Sequence, residues 1–458
     1  MSTATHRRAL TVEMTSGSLW KNILLFSLPL MVTQVLEVLF NLSDVAIAGK
    51  YAYNTYIALG AVGSTTTLVS LFTGLLIGLG AGVNVAVARG LGMGSDEDVE
   101  RTTHSSAIIC FAVGVLTCLL CVFFAEPMLQ MLNTKEEFLP GAVLYLKLFA
   151  IGLPGMGLYN CGNGILSATG DTKRPLIYLA VAGVLNVILN LVFVIGCNMS
   201  AEGVAIASAI AQWVSALLIL AHLLRRKDAC RLEVRKLRLH RMASKRVLMI
   251  GIPSGLQNAI FAVANLFVQA GLNSFDEITV SGAAAAANAD TLVFNILAAF
   301  YTACASFVSR NWGAGNKERI TKTYLISMFY AFAVGSICGG LLLVFGRQFL
   351  GLFADKPEVI DAGMDRLRIM AFSYGFGSLM DASIAASRGI GKSIIPTFMV
   401  IMGSCVFRVI WIYTVFAYFH TVPSLYLLYI FSWVITGIAE CIYFRYAYKK
   451  FVLKAQVW

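Results

Sequence analysis

Residues 23–48 read ILLFSLPLMVTQVLEVLFNLSDVAIA. Only Glu37 and Asp44 in this run are ionisable, and the run exceeds the about 20 apolar residues a bilayer-crossing helix needs. Its long polar side chains are ordered. Gln34, Glu37, Asn41 and Asp44 are spaced three, four and three, which sets all four on one face of a helix. Pro29 lies a turn and a half before that face and marks a kink and a hinge site. Eleven more apolar runs follow, at 57–88, 105–124, 139–163, 176–196, 203–224, 247–272, 279–308, 325–345, 366–387, 396–416 and 424–444. The reading is an all-α integral membrane protein of twelve transmembrane helices.

Composition agrees. The chain has 458 residues, of which 58% are hydrophobic and 13% charged, with mean hydropathy +0.77. Soluble domains carry about 25% charge, so a soluble multidomain enzyme, a disordered chain and an ordinary nucleic-acid binder are excluded. The net charge of +11 is a matter of topology. With both termini in the cytoplasm, 27 of the 35 Lys and Arg fall in inner segments and four in outer loops. The basic run 225–246 reads as a connector lying on anionic headgroups. The ten cysteines are scattered, and Cys118 and Cys121 sit inside an apolar run as packing or lipid-facing residues. No metal site or cofactor is expected, and the N-terminus does not read as a secretory signal.

The chain repeats itself. Pro29 matches Pro253 at an offset of 224. The segment Arg89 to Gly94 matches Arg310 to Gly315 at an offset of 221, and the pair Gly170 and Pro175 matches Gly391 and Pro396 at the same offset. Six spans per repeat is an even number, so both halves enter the membrane the same way. The expected architecture is two parallel six-helix lobes around a central cavity. Its parts are a cytoplasmic N-terminus (1–22), an N-lobe (23–224), a basic connector (225–246), a C-lobe (247–447) and a cytoplasmic C-terminus (448–458).

A carboxylate in mid-bilayer costs about 2.5–3.5 kcal/mol on insertion scales and marks a functional position. In the fifth span Asn186 and Asn190 share a face, and in the sixth Ser208, Gln212 and Ser215 do. Asp44, Asn190 and Ser208 lie at similar depth, roughly 6–9 Å below the outer boundary. Packed together they make a hard-oxygen site for a proton or a monovalent cation. In the second half Asp290, Asp381 and Arg408 are the polar residues. Depth pairs Arg408 with Asp290, and a paired buried Arg is commonly structural. Asp381 is either a proton site or a partner for Arg388.

These residues resemble the multidrug and toxic compound extrusion (MATE) family of antiporters. The likeness covers about Trp20 to Tyr448. It rests, in order, on Leu28-Pro29 with Asp44 to Gly49, Ser167 to Thr172 running on to Pro175, Gly251 to Gln257, Asn311 to Gly315, and Arg388 to Gly391. The resemblance implies a cation-coupling site at Asp44, Asn186, Asn190 and Ser208, with Pro29 as the hinge. Many members carry Asp where this chain has Asn190, which weakens the case for sodium. Glu37, on the Asp44 face, is expected to compensate, so the coupling ion H+ ranks above Na+.

The expected function is cation-coupled export of amphiphilic, cationic organic compounds by alternating access. Cavity contacts are expected from Gln34, Asn41, Met156, Tyr159, Phe261, Phe294 and Tyr374. The partners are a small-molecule substrate and membrane lipid, without nucleic acid, and the chain is expected to act as a monomer in the cell inner membrane. The rival is a lipid-linked saccharide flippase, which needs several basic residues deep in its spans; Arg408 is the one expected there. An integral-membrane enzyme is not expected, because the five histidines show no catalytic spacing.

Overall fold

The computed structural model describes residues 11–454. His6 and the outer parts of the two terminal segments (1–10 and 455–458) lie outside the described residues. Twelve long helical stretches follow the expected order. They are α1 (Leu19–Tyr51), α2 (Thr55–Met93), α3 (Asp96–Met131), α4 (Leu139–Ala150 with Leu153–Ala168), α5 (Lys173–Gly196), α6 (Ala201–Leu224), α7 (Arg241–Leu272), α8 (Glu277–Gly313), α9 (Lys317–Leu350), α10 (Pro357–Gly389), α11 (Ile394–Phe419) and α12 (Val422–Leu453). Ten are long and apolar enough to cross a membrane, and α4 is a broken span bent by 44°. The break falls at Ile151 and Gly152, just before Pro154, whose ring cannot continue a helical ladder. The remaining helix, α10, is 33 residues long and more polar than the other spans, with Asp365, Arg366, Arg368, Asp381 and Arg388 along it. Its interior face is buried, so protein and not lipid solvates much of it.

Helix ends follow local chemistry. Asn54, Ser95 and Asp276 accept hydrogen bonds from backbone N–H groups of the first turn of α2, α3 and α8. Thr421 and Ser424 form a reciprocal capping box at the start of α12. The turns after α2 and α8 use Gly94 at φ +66° and Gly315 at φ +75°. Those after α4 and α10 use Gly170 at +89° and Gly391 at +75°. These pairs stand at the repeat offset of 221, so the repeat is geometric as well as textual. Helices approach through small residues: a Cβ on Gly164 would lie 2.5 Å from the Gly80 carbonyl, and one on Gly282 would lie 2.5 Å from that of Val359. Large apolar side chains face outward, among them Phe123, Val344, Phe372 and Ile442, as lipid contact requires.

The described residues form two compact units, one of residues 11–12 and 35–259 and the other of 13–34 and 260–454. The division runs through the first helix of each half, after Gln34 in α1 and after Ala259 in α7. In the first unit the core joins α2 to α6, with Leu76, Leu79, Ile165 and Ile219 at its centre. The basic segment between the halves is tied to the start of α3. Arg246 pairs with Asp98, and Lys236 reaches Glu100 at 3.0 Å. His104 accepts from the Glu233 N–H at 3.0 Å, and Ser105 accepts from the His240 N–H at 2.9 Å. In the second unit Phe300, Tyr374, Leu425 and Tyr426 are central.

Candidate functional site

In the first unit the structure brings four of the expected residues together. Asp44 projects from α1, Asn186 and Asn190 from successive turns of α5, and Ser208 from α6. Asn190 Nδ2 donates to Asp44 Oδ1 at 2.5 Å, and Ser208 Oγ donates to Oδ2 at 3.2 Å. With its amide nitrogen towards the carboxylate, Asn186 donates to Oδ1 at 2.8 Å and its oxygen lies 3.3 Å from Ser208 Oγ. Asn186, Asn190 and Ser208 are buried. Among the described residues no Lys or Arg pairs with Asp44, and the buried Oδ1 of Asn190 has no hydrogen-bond partner. The result is a carboxylate held by three neutral donors without a counter-charge. Adding a positive charge there relieves an uncompensated anion in a low-dielectric setting. The segment Val192–Gly196, two residues beyond Asn190, is π-helical, a feature that recurs at functional sites.

The other expected first-half residues do not join this cluster. Glu37 lies two turns from Asp44, about 10 Å along the helix, and makes no hydrogen bond among the described residues. Repulsion between two adjacent carboxylates therefore gives no reason to rank proton above sodium. Asn41 is exposed and Gln34 half-buried. Tyr159 is buried, and its hydroxyl donates to the Pro175 carbonyl at 3.1 Å. Met156 packs beside it in the core. Pro29 sits inside a continuous α1, where the Thr33 hydroxyl donates to its carbonyl at 2.8 Å.

In the second unit the expected pairing is corrected. Asp290 pairs with Arg366, at 2.5 Å, and not with Arg408. Tyr374 also donates to Asp290, and Arg366 donates to the Ala283 carbonyl at 2.9 Å. Sequence placed Arg366 at the edge of its span; α10 begins nine residues earlier, at Pro357, so Arg366 is an interior residue and largely buried. Arg408 is thus not the one deep basic residue of the chain.

Asp290 and Arg366 border a cavity of about 410 Å³ that Asp381 and Arg408 also line. Three of the expected aromatics, Phe261, Phe294 and Tyr374, are in its wall. Tyr426, Tyr429 and Trp433 of α12 complete it. Those three escaped sequence reading because α12 is apolar on all sides; the signal was their spacing of three and four, which stacks them on one face. Glu440, fully buried on the same helix with neither carboxylate oxygen hydrogen-bonded, was also missed. Asp381 makes no hydrogen bond or ion pair among the described residues.

The family model described as MatE matches residues 29–192 and 253–414. A probable multidrug resistance protein of Bacillus subtilis (strain 168), YpnP, is 26% identical over 370 residues, covering 80% of this chain and 81% of the relative. A FAD transporter of Shewanella oneidensis is 25% identical over 324 residues, covering 69% and 71%. The outward-facing conformation of a multidrug resistance MATE family transporter of the MOP superfamily superposes with a TM-score of 0.89. It is 22% identical and covers 97% of this chain and 99% of its own, a likeness of fold.

Proposed function

Because this chain belongs to the MatE family, whose members are transporters, we propose that it is a proton-coupled antiporter exporting amphiphilic organic compounds across a bacterial cell membrane by alternating access. The observation that carries this reading is the Asp44 carboxylate, gripped by Asn186, Asn190 and Ser208 and paired with no Lys or Arg among the described residues. A proton arriving from outside neutralises Asp44 and removes the reason for three donors to point at it. The donor set then loosens, and the hinge at Pro29 lets α1 change its bend. Export follows when the neutral and charged states differ in their affinity for cargo.

Proton ranks above sodium on the geometry of the Asn190 amide. A sodium ion needs oxygens turned towards it, whereas Asn190 presents an N–H group to the carboxylate. Sodium binding requires Asn190 to turn its oxygen inward; protonation does not. The termini are assigned to the cytoplasm by the bias in Lys and Arg, and the working unit is a monomer.

Cargo charge is a separate matter. The family resemblance implies a cation, yet the cavity of the second unit holds two arginines beside its two aspartates, Asp290 and Asp381. Arg366 also gives the flippase reading of a lipid-linked saccharide a second basic group. Reconstituted vesicles decide. Dye efflux driven by a pH gradient alone, and lost in Asp44→Asn, is the expected result. Efflux driven only by sodium would overturn proton coupling and keep antiport. Absence of gradient-driven transport for several dyes, together with transbilayer movement of a lipid-linked saccharide, would establish the flippase.

A further inference from the structure

Arg408 is buried to within 2% of full enclosure, and among the described residues no carboxylate lies within ion-pair distance of it, although Asp381 lines the same cavity. Its Nη1 donates to Asn265 Oδ1 at 3.2 Å. Its Nε is buried with no hydrogen-bond partner, and among the described residues it forms no ion pair. An arginine has five donors, and an unpaired buried charge is costly. Part of that cost is offset by three aromatic rings. The guanidinium carbon lies 4.5 Å from the Tyr429 ring centre, 5.3 Å from that of Phe261 and 5.8 Å from that of Trp433. Rings hold a cation by its faces and leave its in-plane N–H groups for an acceptor. The helix around it is altered as well, since π-helical segments at Ile401–Val406 and Ile412–Phe416 flank the turn that carries Arg408. Arg366 differs in its charge balance: its Nε is also buried without a hydrogen-bond partner, but that side chain has the Asp290 carboxylate, the Ala283 carbonyl and the Tyr426 ring.

We propose that the cavity of the second unit is a receptor for a flat aromatic anion, with Arg408 taking the phosphate, sulfonate or carboxylate and the surrounding rings taking the aromatic body. The assignment rests on the reading above that the chain is a transporter, and it names the charge class of one cargo. Charge-assisted bonds to an oxyanion would fill the vacant donors of Arg408. Phe294, Tyr429 and Trp433 offer ring faces and edges to a planar molecule, and about 410 Å³ is room for a tricyclic ring. Asp381 lines the same space and opposes an anion electrostatically, so removing its charge strengthens binding.

The test uses the full chain in nanodiscs and two probes of one ring system, flavin mononucleotide and uncharged riboflavin, read by equilibrium dialysis. Flavin mononucleotide is expected to bind at least about 10-fold tighter than riboflavin. Arg408→Gln is expected to erase that preference while riboflavin binding persists. Asp381→Asn is expected to increase the preference in a chain whose arginine is untouched, which keeps the test open should Arg408→Gln not fold. Equal binding of the two flavins, a preference unchanged by Arg408→Gln or by Asp381→Asn, or a tenfold preference for a cationic ring such as ethidium over both flavins would overturn the proposal. Dye efflux under a pH gradient, measured on the same preparations, separates the two readings. A flavin mononucleotide preference without proton-driven transport leaves the cavity and removes the coupling. Asp44-dependent transport without the preference does the reverse.

Discussion

Among the described residues, Asp44 is a carboxylate with no Lys or Arg paired to it, held by Asn186, Asn190 and Ser208, and Arg408 is a guanidinium with no carboxylate paired to it, held by Phe261, Tyr429 and Trp433. The two sites draw on corresponding helices of the repeat. At the offset of 224 that carries Pro29 to Pro253, Glu37 falls on Phe261, Asn41 on Asn265 and Asp44 on Val268. At the offset of 221 that carries Gly170 to Gly391, Ser208 falls on Tyr429. Phe261, Asn265, Val268 and Tyr429 all line the cavity of the second unit. One set of helices thus presents hydroxyl, amide and carboxyl groups in the first half, and rings around a cation in the second. The backbone plan was kept while the side chains it presents differ.

The largest effect that can break this comparison is on transport. Asp44→Asn is expected to reduce proton-driven efflux to the level of empty vesicles while the protein still purifies as a folded monodisperse species, because no buried cation is stranded. If Asp44→Asn instead unfolds the chain, the carboxylate is a structural group like Asp290. The next effect is on stability and belongs to the second unit. Asp290→Asn leaves Arg366 buried without its partner and is expected to cost about 3–5 kcal/mol, seen as a fall in thermal midpoint in detergent. Pairing it with Arg366→Met is expected to restore most of the loss, a coupling that a double-mutant cycle measures. A smaller change sharpens the first site. Asn190→Asp supplies a second carboxylate there and is expected to make efflux respond to a sodium gradient; no gain of sodium response would show that the amide does not set the choice of ion. The smallest effects test the repeat itself. Gly94→Ala and Gly315→Ala meet no neighbouring atoms, so only the positive φ resists them, and each is expected to cost about 1 kcal/mol. Unequal costs would mean the two turns are not the same turn.

What could be read from the sequence divides along physical lines. Twelve spans were legible because lipid imposes length and apolarity on every crossing helix, and even the polar α10 was found from its central run. The face of Asp44 and the pairs on α5 and α6 were legible because 3.6 residues per turn fixes which side chains share a side. Equal depth allowed contact between Asp44, Asn190 and Ser208, and the packing of their helices supplied it. The second half resisted the same reasoning. Depth counted from the edge of an apolar run misplaced Arg366, whose helix starts earlier than its apolarity does. The wall of the cavity is aromatic, and aromatic residues in an apolar helix carry no mark that separates a ligand surface from ordinary packing.

The π-helical segment Ile401–Val406 has no counterpart in α5, although both α5 and α11 carry one near the end, at Val192–Gly196 and Ile412–Phe416. A wider turn absorbs one residue more than an α-turn, which rotates everything beyond it by about 100°. By number Asn186 corresponds to Phe407; by rotation its place on the helix passes to Arg408. No residue has to be inserted or deleted for this to happen. Two copies of an ancestral half could thus diverge in which side chain they offer to a solute while a gap-free alignment of the halves stays intact, and such an alignment pairs an amide with a phenylalanine where the molecule has exchanged an amide for a guanidinium.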